Sequence, residues 1–152
     1  MTELSHQIRM LNGLIASTFD SIDGFAVAAE NAKDDHLSEI FSTHANQRAA
    51  VVRSFQAEVS RLGGKPEERG TFLAGLPRNF LKLKAAVIRN DLRAILGEVE
   101  REEERLEARF KSALADDALL LSVKAVIRAG FASVREGYHQ MRDTEHGLAI
   151  AA

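Results

Sequence analysis

Apolar side chains recur along this chain every three to four positions, the spacing that lines one face of an α-helix. Leu4, Ile8, Leu11, Ile15, Phe19, Ile22, Ala26 and Ala29 trace a first such stripe, and predict a helix from about Leu4 to Lys33. Leu37, Ile40, Phe41, His44, Arg48, Val51, Val52, Phe55, Val59 and Leu62 trace a second, with Asp34 or Asp35 placed to cap it. Gly63-Gly64-Lys65-Pro66 stops that helix, because glycine accepts a left-handed C-cap and proline cannot continue a helix. A short helix is expected from Phe80 to Arg89, then a break and cap at Asn90-Asp91. The third long helix, Leu92 to Leu114, turns Leu92, Ile95, Val99, Glu103, Leu106 and Phe110 to one side. Asp116 or Asp117 can cap a fourth, running to about Arg142 with Leu120, Val123, Ile127, Phe131, Val134, Tyr138 and Met141 inward. No stretch alternates apolar and polar residues as a half-buried strand would.

Four long amphipathic helices in one small chain bury their stripes against one another as a four-helix bundle. Short links make the first and second helices antiparallel, and likewise the third and fourth. The segment from Gly63 to Asn90 is long enough to return along the bundle and start the third helix beside the second. The expected fold is therefore all-α, a ferritin-like four-helix bundle with a long second-to-third crossover containing a short extra helix. Residues 1–146 form a single domain in this reading, and 147–152 a flexible tail.

Composition narrows the function. The chain of 152 residues carries 20 Lys and Arg against 22 Asp and Glu, a net charge of −2, with no basic stripe interleaved with aromatics. Nucleic acid is not an expected partner. No apolar leader or membrane-crossing segment is visible, and no membrane partner is expected. The absence of cysteine removes disulfides and thiolate metal sites and agrees with a cytoplasmic setting.

His44, Arg48 and Glu103 interrupt the apolar stripes with groups that demand partners when buried. Counted from the helix ends, Arg48 and Glu103 fall at similar heights if their helices run parallel, and a bidentate guanidinium–carboxylate ion pair is expected there. Gly130 falls near that level on the fourth helix and would leave room for the arginine. His44 has two readings, a histidine bonded to a backbone carbonyl or to Gln47, or a metal ligand with Glu100 or Glu103.

Dinuclear carboxylate bundles take a glutamate from each of two helices and a Glu-x-x-His unit from each of the other two. Here Glu136 and His139 supply one such unit, while the second helix offers Gln47-Arg48-Ala49-Ala50 in place of the other. Glu136 also lies out of phase with Val134 and Tyr138. The low-ranking ligand candidates are His44, Glu100, Glu103, Glu136 and His139, with iron or manganese as the metal; the preferred reading has no cofactor and no catalytic residues. Asp20 is expected to play a surface role, and Asp23 with Gly24 to accommodate a close helix contact. The remaining glutamates of the third helix, Glu98, Glu100, Glu102, Glu104 and Glu107, read as a solvated face interleaved with Arg101, Arg105 and Arg109.

Several scattered residues together resemble a known family. They are Leu14-Ile15, Asp20, Asp23-Gly24-Phe25, Ala28-Ala29-Glu30, Gln47-Arg48, Leu62-Gly63-Gly64 with Pro66, Glu100, Glu103, His139 and Arg142-Asp143. This set is similar to a bacterial ferritin-like four-helix-bundle family of unknown function, domain of unknown function 2383, over roughly residues 11–143. Phe25 stands where that pattern leads one to expect tyrosine. The resemblance implies the bundle and a loose association with stress, and supplies no activity. The expected function is a structural or protein-interaction module with the Arg48–Glu103 pair in place of a metal centre; the alternative is a metal-binding oxidoreductase or iron-handling protein. Self-association through Phe72, Leu73, Leu76, Phe80 and Leu83 in the crossover is a further expectation.

Overall fold

A computed structural model describes residues 3–71 and 80–151, with side chains not described at 138, 140–142 and 144–151. Its helices are α1 (Glu3–Asn31), α2 (Asp35–Arg61), α3 (Leu81–Ile88), α4 (Leu92–Leu114) and α5 (Leu121–Ala151). Among the described residues there is no strand, so the fold is an all-α bundle of four long helices and one short one.

The helix boundaries follow local chemistry. Asp34 caps α2 by accepting hydrogen bonds from the His36 and Leu37 backbone N–H groups, and Asp91 caps α4 by accepting from Ala94 N–H. Helices α2 and α3 end in the same motif. Gly63 takes φ +84° and Asn90 φ +56°, so the chain reverses, and the N–H of that residue and of the next return to carbonyls of the last turn. Two ends differ from expectation. Asp116 accepts from Ala118 N–H inside a turn, so α5 starts only at Leu121, and it continues beyond Arg142 to Ala151.

Neighbour contacts close a circuit, α1 to α2, α2 to α5, α5 to α4 and α4 to α1, with α3 packed on α1 and α4. Helix α4 therefore lies diagonally across from α2, where a place beside it was expected. Gln7 near the start of α1 bonds the α4–α5 turn, its Nε2 donating to Ala118 O at 2.8 Å and its Oε1 accepting from Leu120 N at 2.9 Å. The turn after α2 reaches the same end, since Asn12 Oδ1 accepts from Glu67 N at 2.8 Å. Helices α2 and α4 thus finish at the same end and run parallel.

The crossover climbs α1. Gly64 packs against Ile8, Lys65 and Glu67 bond Asn12, Thr71 bonds Asp20, and Phe80 seats on Gly24. A Cβ at Gly24 would overlap the Phe80 ring, which explains the glycine. Asp20 serves this path, accepting from Thr71 N at 2.9 Å and Thr71 Oγ1 at 2.7 Å.

Helix α1 is rotated relative to the expected stripe. Gln7, Thr18 and Ser21 face inward with Leu11, Leu14, Ile15 and Phe25, while Ile8, Phe19 and Ile22 are only partly buried. Polar groups are tolerated there because they are bonded. Gln7 holds the far turn, and Thr18 Oγ1 donates to Leu14 O at 2.7 Å.

The core divides into two clusters. One gathers α1, α2, α4 and α5 around Phe55, Phe110, Val123 and Ile127. The other gathers α1, α2, α3 and α4 around Phe25, Phe41, Phe80, Leu83 and Val99. Phe80 and Leu83 are core residues, 2 % and 0 % exposed, so they offer no association surface; Phe72, Leu73 and Leu76 lie outside the described residues.

Candidate functional site: a buried charged layer

Between the two apolar clusters the bundle carries charge. His44 and Arg48 stand one turn apart on α2 and point the same way. Glu103 faces them from the diagonal helix α4, and all three are buried, at 2 %, 2 % and 1 % exposure. Arg48 Nη2 donates to Glu103 Oε2 across 2.5 Å. The pair is held by one hydrogen bond where a bidentate one was expected. Arg48 Nε and Nη1 and Glu103 Oε1 are buried with no hydrogen-bond partner.

An aromatic wall supplies part of the compensation. The Phe25 ring lies 5.1 Å from Arg48 Cζ, and its face attracts the guanidinium charge. Phe25 in turn contacts the rings of Phe41, Phe80 and His44, at centroid separations of 6.0, 5.7 and 5.5 Å.

His44 is tied to two backbone carbonyls. Nδ1 lies 3.1 Å from Ile40 O on its own helix, and Nε2 lies 2.9 Å from Gly137 O on α5. A neutral imidazole donates only one of these bonds. Burial, then the Arg48 charge, pushes the His44 pKa below its ordinary value, while Glu103 and the two carbonyls pull it back up. Gln47 makes no bond to the ring.

Among the described residues of α5, Gly137 meets this layer. A Cβ there would lie 3.6 Å from His44 Nε2 and 3.7 Å from Arg48 Nη2. Gly130, expected at this level, instead packs under Phe55 and Val51.

The remaining ligand candidates do not join the layer. Glu136 and His139 are exposed on α5, and Glu100 is half-buried on α4. Among the described residues, no group of three or more His, Asp or Glu side chains is gathered to hold a metal ion. The donor set fails in chemistry too, because a guanidinium occupies the position a cation would take and both His44 nitrogens face carbonyls.

The acidic face of α4 is less solvated than its sequence suggests. Glu98 and Glu102 are buried at 7 % and 8 % exposure and form ion pairs with Arg101 and Arg105 one turn on. The arginines meet the carboxylates through their guanidinium groups and remain about half exposed.

No described helix is long and apolar enough to cross a membrane. No curated protein matches the chain. A family model described as a domain of unknown function, DUF2383, matches residues 6–116. That range covers α1 to α4 and includes Asp20, Phe25, Arg48 and Glu103, while His44's partner Gly137 and the α5 residues His139, Arg142 and Asp143 lie beyond it. The chain belongs to the domain of unknown function 2383 family.

Proposed function

We propose that this chain is a ferritin-like bundle whose centre is held by an ion pair in place of a metal, and that it works as a structural or protein-interaction module. The carrying observation is the Arg48–Glu103 contact, buried on both sides and spanning the bundle diagonal. The helix circuit supports the ferritin-like reading, since α2 and α4 run parallel across the diagonal and the crossover joins them. A cytoplasmic setting accords with the absence of cysteine, and the family resemblance adds a stress-related context.

A buried pair of this kind fixes which residues meet between helices, because any slip leaves both charges unpaired. Its role is to set register at the centre of the bundle and leave the surface free for contacts. The competing reading, an iron or manganese protein, draws on Glu103 Oε1, the buried carboxylate oxygen without a partner. Elemental analysis separates the two. Protein purified without chelator, then loaded with iron and with manganese, is expected to hold no stoichiometric metal; stoichiometric metal that disappears in Glu103→Ala would overturn the proposal.

A further inference from the structure

The centre of the bundle carries more hydrogen-bonding capacity than its own side chains use. Arg48 donates through Nη2 to Glu103 Oε2, while its Nε and Nη1 are buried without a partner, as is Glu103 Oε1. Groups left in that condition are costly in a low-dielectric interior, and folded proteins meet them with other protein groups or with bound water. The neighbouring side chains do not meet them. Both ring nitrogens of His44 face carbonyls, Nδ1 toward Ile40 and Nε2 toward Gly137. Phe25 attracts the guanidinium charge through its ring face and supplies no oxygen or nitrogen to bond.

Space lies on the α5 side of the layer. A Cβ at Gly137 would have as its nearest neighbours Gln47 Oε1 at 3.4 Å, His44 Nε2 at 3.6 Å and Arg48 Nη2 at 3.7 Å. Those are ordinary van der Waals separations, so a methyl group fits and packing does not by itself require a glycine there. The other buried glycines differ. At Gly24 a Cβ would overlap the Phe80 ring and at Gly130 the Phe55 ring, so packing dictates both. The three atoms bordering the Gly137 space are all polar, which suits a hydrogen-bonding ligand.

We propose that the central layer binds a water molecule, seated beside Gly137 and bridging the Arg48 guanidinium to Glu103 Oε1. Charge and size select water. Arg48 and Glu103 sum to neutral, so a bound anion would face the carboxylate and a bound cation the guanidinium. The ligand has to accept from a guanidinium N–H and donate to a carboxylate oxygen within about the space of a methyl group, and water does both. The direct Nη2–Oε2 bond and the bridge to Oε1 together give the pair the two arms of a bidentate contact across the bundle diagonal. The proposal deepens the reading of the centre as an ion pair and rests on it.

Oxygen-17 magnetic relaxation dispersion, which detects internal waters exchanging with bulk solvent, tests this on metal-free protein. Wild type is compared with Gly137→Ala, which fills the seat and keeps both charges, and with the double variant Arg48→Met with Glu103→Leu, which removes both partners. The dispersion amplitude is expected to fall in each by the equivalent of about one internal water. Alanine is the better helix former and its methyl group fits, so Gly137→Ala keeps the fold and carries the comparison alone if the double variant does not fold. An amplitude unchanged in Gly137→Ala, or in a folded double variant, would overturn the proposal and leave the ion pair standing. Stoichiometric metal in the loaded protein would overturn the ion-pair reading instead, so the two failures are told apart.

Discussion

Two kinds of arginine–glutamate pair coexist in this bundle, and they do opposite work. Arg101 with Glu98 and Arg105 with Glu102 join residues three apart on one helix, with the arginine heads half in water. Arg48 with Glu103 joins residues 55 apart in sequence on two helices, with both heads buried. In these two pairs the exposed arginine head can move into water at little cost, although Glu98 and Glu102 are themselves buried. The central pair has no such fallback, since each charge was desolvated to reach the other. The same two functional groups therefore link neighbouring turns within α4 in one case and dictate how α4 meets α2 in the other.

The sharpest way to break this contrast is to orphan one central charge. Glu103→Ala should cost about 3 to 5 kcal/mol in urea denaturation, the range for leaving a buried charge unpaired. Disturbing the wall around the pair comes next. Gly24→Ala pushes a methyl group into the Phe80 ring that abuts Phe25, and should cost about 1 to 3 kcal/mol, an overpacking penalty.

Protonation offers a gentler probe. The folded His44 pKa lies below its ordinary value of 6.5, so on acidification the unfolded chain takes up the proton first. The His44 contribution is therefore complete above about pH 6.5 and is lost as pH falls from there toward the folded pKa. Urea midpoints measured across that range should decline with acid in the wild type and decline less in His44→Gln. Smallest of all is the surface pair. Arg101→Ala should lower the melting temperature far less than Glu103→Ala does, and an equal loss would erase the distinction between the two kinds of pair.

How much of this could be read from sequence depended on how local the determining physics was. Helix α4 was legible to the residue, because Asp91 caps its start and the apolar period runs unbroken to Leu114. Gly63 announced the end of α2 by the same local logic. The face of α1 was not legible, because Gln7 looks like a surface residue until the α4–α5 turn arrives to bond it. That turn also consumes residues through Leu120, which moves the register of α5, and Gly137 meets Arg48 where counting gave Gly130.

The level of Arg48 and Glu103 followed from helix lengths, whereas their geometry did not. Reaching across a diagonal leaves the guanidinium contact for one hydrogen bond, and no spacing rule encodes that. Similarly, Asp20 was legible as an outward-facing residue, but its partner Thr71 lies 51 positions away on a crossover without periodicity.

The central claim is that Arg48 and Glu103 stabilise the bundle as a pair, and a double-mutant cycle measures it most directly. Arg48→Met, Glu103→Leu and the combined variant would be compared with wild type by urea denaturation. Each single variant is expected to lose about 3 to 5 kcal/mol, and the double variant to recover most of that loss, since two apolar residues leave no charge unpaired. Losses that simply add in the double variant, or single variants as stable as wild type, would contradict the account.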